Sequence, residues 1–313
     1  MTPAVAEELW SAWARPTTRT PVPLGASEFR TLRDFLYERS GLHFAESKKF
    51  LLDARIHRRL QTLGVGGASE YLELLRSPEA GPGELLELLD AVTTHETSFF
   101  RTEPQIEAFR RHALPELLDA SRRRGERTLK IWSAACSSGE EPYTLAMVLL
   151  EVLGREALGW RLRILGTDVA RSVLRKAETA VYGAYSLRNT PPSYRYKYFE
   201  RAGPDTYRLK DGPRQLVEFD LVNFADDVKM RALGGFQVVF CRNALIYFDS
   251  DAKRRFVAHF AAALEAGGYL FVGHSESLHS LSAAFDLVHF PDATAYRKPA
   301  PGVQRRSPWT PIA

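Results

Sequence analysis

From Ser27 onward apolar residues recur at spacings of three and four, so Phe29, Leu32, Phe35 and Leu36 share one helical face, with Ser27 placed to cap it and Gly41 to end it. The same rhythm predicts a second helix over 46–63, with Leu52, Ile56, Leu60 and Leu63 inward and the basic residues outward. A third helix begins near Ser69 and a fourth near Gly83, which makes residues 26–92 an all-helical unit. A polar linker, 93–103, leads to an amphipathic helix over 104–121. Then the pattern changes. Continuous apolar runs that read as buried strands (from Leu129, then 161–167, 236–243 and 269–273) alternate with helical stretches at 142–153, 170–179 and 250–265. That alternation predicts an α/β domain with a parallel sheet and right-handed crossovers.

Two segments depart from this rhythm. Tyr194, Tyr196 and Tyr198 alternate ahead of turn signals at Gly203-Pro204-Asp205 and Asp211-Gly212, so 194–219 reads as a small inserted antiparallel sheet. The runs 285–290 and 293–297 read as an antiparallel edge hairpin. Residues 1–25, with Trp10, Trp13 and a Pro/Thr-rich stretch, read as a short helix and flexible linker, and 299–313 as a disordered Pro-rich tail.

The richest chemistry lies where the first strand of the sheet ends. Residues 129–143 run from an apolar strand through the small-residue turn Ala134-Ala135-Cys136-Ser137-Ser138-Gly139 into a helix that opens with Glu140 and Glu141. In dinucleotide enzymes such a turn is glycine-rich, so that pyrophosphate lies against bare backbone N–H groups. Two carboxylates would repel phosphate, but they suit an ammonium, such as the methionine end of S-adenosylmethionine. The next strand ends in Asp168, placed either to cap the following helix or to accept hydrogen bonds from both hydroxyls of a ribose; with the preceding turn, the ribose is favoured.

Composition narrows the classes. With 313 residues, 45% of them hydrophobic and 26% charged, the chain accommodates one large domain or two smaller ones. No apolar run is long enough for a membrane-spanning helix, and the first residues lack the basic start and apolar core of a signal peptide, so a cytoplasmic location is expected. The only cysteines, Cys136 and Cys241, sit in or beside strands, which fits reduced buried thiols and gives no support to metal chemistry. A net charge of +4 is too small to imply nucleic acid. Its distribution is uneven, with Lys48, Lys49, Arg55, Arg58 and Arg59 crowding the second helix.

Taken in order, Thr-Thr-X-X-Thr-X-Phe-Phe-Arg at 93–101, Gly-Glu-Glu-Pro-Tyr at 139–143, Thr167-Asp168, Asn223-Phe224, Cys-Arg-Asn-X-X-Ile-Tyr-Phe-Asp at 241–249 and Gly-His-Ser-Glu-Ser at 273–277 resemble the CheR-type chemotaxis receptor glutamate O-methyltransferases, over roughly residues 27–298. The resemblance implies a helical receptor-docking domain (26–92), a linker contributing to the cofactor site (93–103) and a Rossmann-like S-adenosylmethionine domain (104–298) carrying an inserted β-subdomain (194–219). It implies a cofactor pocket formed by His95, Thr97, Arg101, Glu141, Asp168, Asn223, Phe224, Arg242 and Asn243, with Arg101 and Tyr247 at the reacting groups. Glu141 is favoured over Glu140 for the ammonium because it adjoins Pro142. The family usually has Asn where this chain has His95, and an imidazole there would make cofactor binding depend on pH. The product would be S-adenosyl-L-homocysteine, the substrate glutamates on the cytoplasmic helices of chemoreceptors, and Arg55, Arg58 and Arg59 the docking face of a monomeric enzyme that neither binds nucleic acid nor inserts into membranes. A non-catalytic S-adenosylmethionine-binding signalling module and a methyltransferase with another substrate are the alternatives; a dehydrogenase fits least, since the first turn has Gly139 alone and two acids.

Overall fold

The computed structural model describes residues 24–300; the expected N-terminal helix and linker, and nearly all of the Pro-rich tail, lie outside the described residues. Two compact units form, one ending at Thr94 and the other beginning at His95.

The first unit is helical: α1 (Ala26–Ser40), α2 (Lys49–Leu63, preceded by a 3-10 turn at Glu46–Lys48), α3 (Ala68–Arg76) and α4 (Gly81–Val92). Phe29, Leu32, Phe35 and Leu36 of α1 and Leu52, Ile56, Leu60 and Leu63 of α2 are the buried faces that the spacing predicts. The cap of α1 is Gly25 rather than Ser27, because Glu28 reaches back to accept from the Gly25 amide at 2.7 Å. A buried polar cluster joins three helices. Glu84, fully buried, accepts from Arg59 through Nε (3.0 Å) and Nη2 (2.6 Å) and from the Tyr71 hydroxyl (2.6 Å). This corrects the reading of Arg55, Arg58 and Arg59 as one outward basic face. Arg59 neutralises a buried acid and Arg55 donates to the Val92 carbonyl, which leaves Arg58 as the exposed member of the three.

In the second unit a seven-stranded sheet runs in the order β6 (Val217–Leu221), β2 (Arg161–Asp168), β1 (Thr128–Ala134), β7 (Phe236–Cys241), β8 (Leu264–Val272), β10 (Ala293–Arg297) and β9 (Asp286–Phe290). The first five are parallel to one another, β10 pairs antiparallel with β8, and β9 and β10 form the expected antiparallel hairpin. Continuous burial along β7 and the C-terminal half of β1 is what helices on both faces require. The helices are α5 (Glu103–Ala108) and α6 (Leu114–Arg124), joined by a π segment at Phe109–Ala113, then α7 (Glu140–Leu153), α8 (Arg171–Thr179), α9 (Pro192–Tyr198), α10 (Asp211–Arg214), α11 (Asp227–Ala232) and α12 (Ser250–Ala263). Trp132 of β1 is fully buried among Phe224, Phe236 and Phe260, and its indole N–H reaches Thr167 Oγ1 at 2.9 Å, so the largest core side chain leaves no polar atom unpaired.

The inserted sheet is real but differently composed. It contains β3 (Val181–Gly183), β5 (Thr206–Leu209) and β4 (Phe199–Arg201) in that order, whereas residues 217–221 belong to the main sheet. The tyrosines read as strand alternation stand on α9, which starts directly after Pro191 with Pro192 in its first turn. Residues two apart include an i, i+4 pair, and the helix uses it: the Tyr194 and Tyr198 rings lie 6.0 Å apart, Tyr194 packs on Phe100, and Tyr196 is 89% exposed.

Candidate functional site

Four parallel strands, β6, β2, β1 and β7, end at one edge of the sheet, and β1 sits where the strand order reverses. Crevices at that position bind ligands in open α/β sheets, because loops diverge there to opposite faces. Each strand delivers a candidate residue as it ends: the 135–141 turn after β1, Asp168 on β2, Asn223 after β6, and Arg242 with Asn243 after β7.

The first turn is built from unusual backbone. Ala135 (φ 57°), Ser137 (φ 51°) and Gly139 (φ 89°) all adopt left-handed conformations. At Gly139 a Cβ would stand 2.7 Å from that of Ala177, so both the φ and the close approach of α8 demand glycine. The Cys136 amide donates to the Thr167 carbonyl (2.8 Å), which ties the turn to β2. The Ser137 amide donates to Asp168 Oδ2 at 2.8 Å, and the Ser137 hydroxyl to the His95 carbonyl at 3.1 Å.

The two glutamates of the turn have separate surroundings. Glu140, 1% exposed, accepts from the Ser138 and Ser186 hydroxyls at 2.7 and 2.9 Å, which locks the 184–190 segment onto α7. Glu141, 9% exposed, accepts from Ser133 Oγ (2.7 Å) and from Arg242 Nε (2.7 Å). Arg242 continues to the Arg101 carbonyl at 2.7 Å and to Gln105 Oε1 at 3.3 Å, while Gln105 Nε2 donates to the Val272 carbonyl at 2.6 Å. One buried guanidinium therefore ties the first turn, the linker and α5 together.

The remaining candidates are more peripheral. Arg101 is half-buried and donates to the Glu96 carbonyl at 2.8 Å, between Phe100 and Thr102, both at positive φ. His95 and Thr97 are half-buried. The side chain of Asn223 accepts from the Ala225 amide at 3.0 Å. Phe224 packs its ring against Trp132, Phe256 and Phe260, so only its backbone is left for a ligand. Asn243 has φ 60°, and Tyr247, 38% exposed, closes a short 3-10 turn at Leu245–Tyr247. Five of the nine non-glycine residues at positive φ among those described, Phe100, Thr102, Ala135, Ser137 and Asn243, thus lie beside candidate residues. Each such conformation costs on the order of 1–2 kcal/mol, and such strain concentrates at ligand sites.

These residues fit a ligand without phosphates. The Ser137 amide, which a pyrophosphate would need, is already given to Asp168, and the helix that follows opens with two acids. A family model described as "CheR methyltransferase, SAM binding domain" matches residues 95–294, and one described as "CheR methyltransferase, all-alpha domain" matches residues 27–93. The chain belongs to the CheR methyltransferase family. It is 35% identical over 277 residues to chemotaxis protein methyltransferase 2 of Vibrio cholerae, covering 88% of this chain and 94% of that protein. It is 34% identical over 276 residues to chemotaxis protein methyltransferase 1 of Pseudomonas aeruginosa (87% and 97% covered) and 34% identical over 273 residues to the chemotaxis protein methyltransferase of Escherichia coli (84% and 89% covered). S-adenosylmethionine is therefore the cofactor of the larger unit, and its chemistry is methyl transfer in chemotaxis.

Both thiols of the CheR domain are buried. Burial pushes the Cys136 thiol well up, with the Asp168 and Glu141 charges adding to it, and burial does the same to Cys241, helped by Glu276 and Glu141. Among the described residues no helix is long and apolar enough to cross a membrane. Sequence reasoning missed Ser133, Ser137, Gln105 and Glu276. A serine in a strand or turn and a glutamine on a helix carry no distinguishing signal; Glu276 lies in the Gly-His-Ser-Glu-Ser run, but its partners are backbone amides, which no side-chain pattern reveals.

Proposed function

We propose that the protein transfers a methyl group from S-adenosylmethionine to glutamate side chains on the cytoplasmic helices of chemoreceptors, giving glutamate methyl esters. The observation that carries the cofactor half of this reading is the pair of buried carboxylates at adjacent strand ends, Glu141 and Asp168, each steadied by groups of the first strand and its turn. Asp168 is assigned to the ribose hydroxyls and Glu141 to the methionine ammonium, since Glu141 is 9% exposed and Glu140 only 1%. Arg242 acts by positioning Glu141 and the linker, while Asn223, the Phe224 backbone, Asn243, Thr97 and His95 line the remaining wall.

Bound S-adenosylmethionine supplies a methyl group on a positively charged sulfur. A glutamate, with an ordinary pKa of about 4.3, is already an ionised nucleophile near neutral pH, so no residue of the chain need remove a proton. The protein's part is alignment and exclusion of water from the carboxylate. Arg101 and Tyr247 are assigned to orient the incoming carboxylate. Charge is lost as the reaction proceeds, so a tight permanent ion pair to the substrate would hold the ground state back; a half-buried arginine and a neutral hydroxyl suit that need better than a buried cation. Arg58, exposed on α2, is assigned to docking of the acidic receptor helix. The names of the relatives support a chemotaxis substrate.

The test is incubation with methyl-labelled S-adenosylmethionine and a receptor cytoplasmic fragment, followed by alkaline hydrolysis. Label on the fragment released as methanol by mild base supports the ester; label stable to base would move the reaction to nitrogen or carbon and overturn the substrate assignment.

A further inference from the structure

In the Gly-His-Ser-Glu-Ser run the acid reaches the loop after β7. Glu276 follows the end of β8 and directs its carboxylate at the loop after β7. Oε2 accepts from the amides of Gly273 (2.6 Å) and Asn243 (2.9 Å), and Oε1 from the amide of Ile246 (3.1 Å). The fit is close: a Cβ on Gly273 would stand 2.7 Å from Glu276 Oε2 and 3.0 Å from the Asn243 amide. Asn243 is held at φ 60°, a sparsely populated conformation, and the Glu276 carboxylate accepts from its backbone amide. His274, by contrast, is exposed and shares a hydrogen bond with the Ser275 hydroxyl.

We propose that Glu276 is a positioning residue, whose two oxygens hold the two functional ends of the β7 loop separately: Oε2 fixes Asn243 on the cofactor side and Oε1 fixes the Leu245–Tyr247 turn on the substrate side. This rests on the reading of Asn243 and Tyr247 given above. Backbone amides satisfied by an ionised acceptor are strong and directional, and three of them converge here on one side chain.

The division predicts a split between binding and turnover. Glu276→Gln keeps an oxygen at the Oε2 position and sets its NH2 against the Ile246 amide, so kcat should fall about tenfold while S-adenosylhomocysteine affinity by calorimetry stays near wild type. Glu276→Ala releases both ends, and affinity should fall about tenfold as well. In a cycle with Asn243→Ala, the affinity losses should be less than additive, because Glu276 acts on the cofactor through Asn243. Equal loss of kcat and affinity in Glu276→Gln, full additivity in the cycle, or wild-type values in both variants would each overturn the proposal; if Glu276→Ala does not fold, Glu276→Gln still decides. Affinity for S-adenosylhomocysteine is measured without receptor, so failure of the clamp is distinguishable from failure of the substrate assignment.

Discussion

Arg242, on the loop after β7, donates from Nε to the Glu141 carboxylate on α7 at 2.7 Å, and both side chains are nearly enclosed, with 3% and 11% of their side-chain surface exposed. The pair joins residues 101 positions apart in the chain. A buried pair of this kind adds little net stability over an apolar pair, but removal of one partner strands a charge. Arg242→Ala should therefore lower unfolding free energy by about 3–5 kcal/mol and weaken cofactor binding together. Arg242→Met combined with Glu141→Gln should regain much of the stability and none of the binding, measured by denaturant unfolding and calorimetry. Recovery of binding in the double variant would contradict the role given to Glu141.

Asp168 gives a second binding test: at the end of β2 it accepts from the Ser137 amide of the turn after β1. Asp168→Ala should weaken S-adenosylhomocysteine binding by about 1.5–3 kcal/mol, or roughly 10- to 150-fold, since the hydrogen bonds it would lose are charge-assisted. An unchanged affinity in calorimetry would return Asp168 to helix capping.

The arginines of α2 should separate by partner. Arg59→Ala leaves Glu84 buried without its cation and should destabilise the helical unit by about 3–5 kcal/mol. Arg58→Glu, at an exposed position, should leave stability and cofactor affinity alone and raise the receptor KM, with the effect fading as salt shortens the Debye length from ~10 Å at about 0.1 M. Kinetics at two ionic strengths check this; a salt-independent KM equal to wild type would place receptor docking elsewhere.

This division among the arginines also marks where the sequence stops being legible. Period-3.6 and continuous apolar patterns revealed the long helices, the alternation of strands and helices and the final hairpin, because each of those depends on burial along one segment. The α9 helix was hidden because Tyr194, Tyr196 and Tyr198 fit a strand and a helix equally well until Pro191 and Pro192 are given weight. In the site, Glu141 and Asp168 could be placed because strand ends and turns are local signals. The Arg242–Gln105–Val272 chain and the Glu276–Asn243 bond could not, since they join residues far apart in the chain, in part through backbone groups that carry no sequence signal.

Both thiols should be silent in the folded protein. Burial raises them above their ordinary range, so the neutral form is the native one, and the stability it contributes is complete below the unfolded thiol pKa of about 8.5 and is lost as pH rises beyond it. A disulfide reagent at neutral pH should titrate neither Cys136 nor Cys241 until denaturant is added, and native stability should fall in alkali. Rapid reaction of Cys136 in the native state would show the first turn to be open.

Esterification of receptor glutamates at this site can be read directly. Its most direct test is peptide mapping by mass spectrometry of a receptor cytoplasmic fragment incubated with S-adenosylmethionine and either wild-type protein or Asp168→Ala. Glutamates of the fragment should gain the mass of one methylene, an increment abolished by mild base and strongly reduced with the variant. Unmodified glutamates with wild-type protein that binds the cofactor, or methylation confined to other side chains, would contradict it.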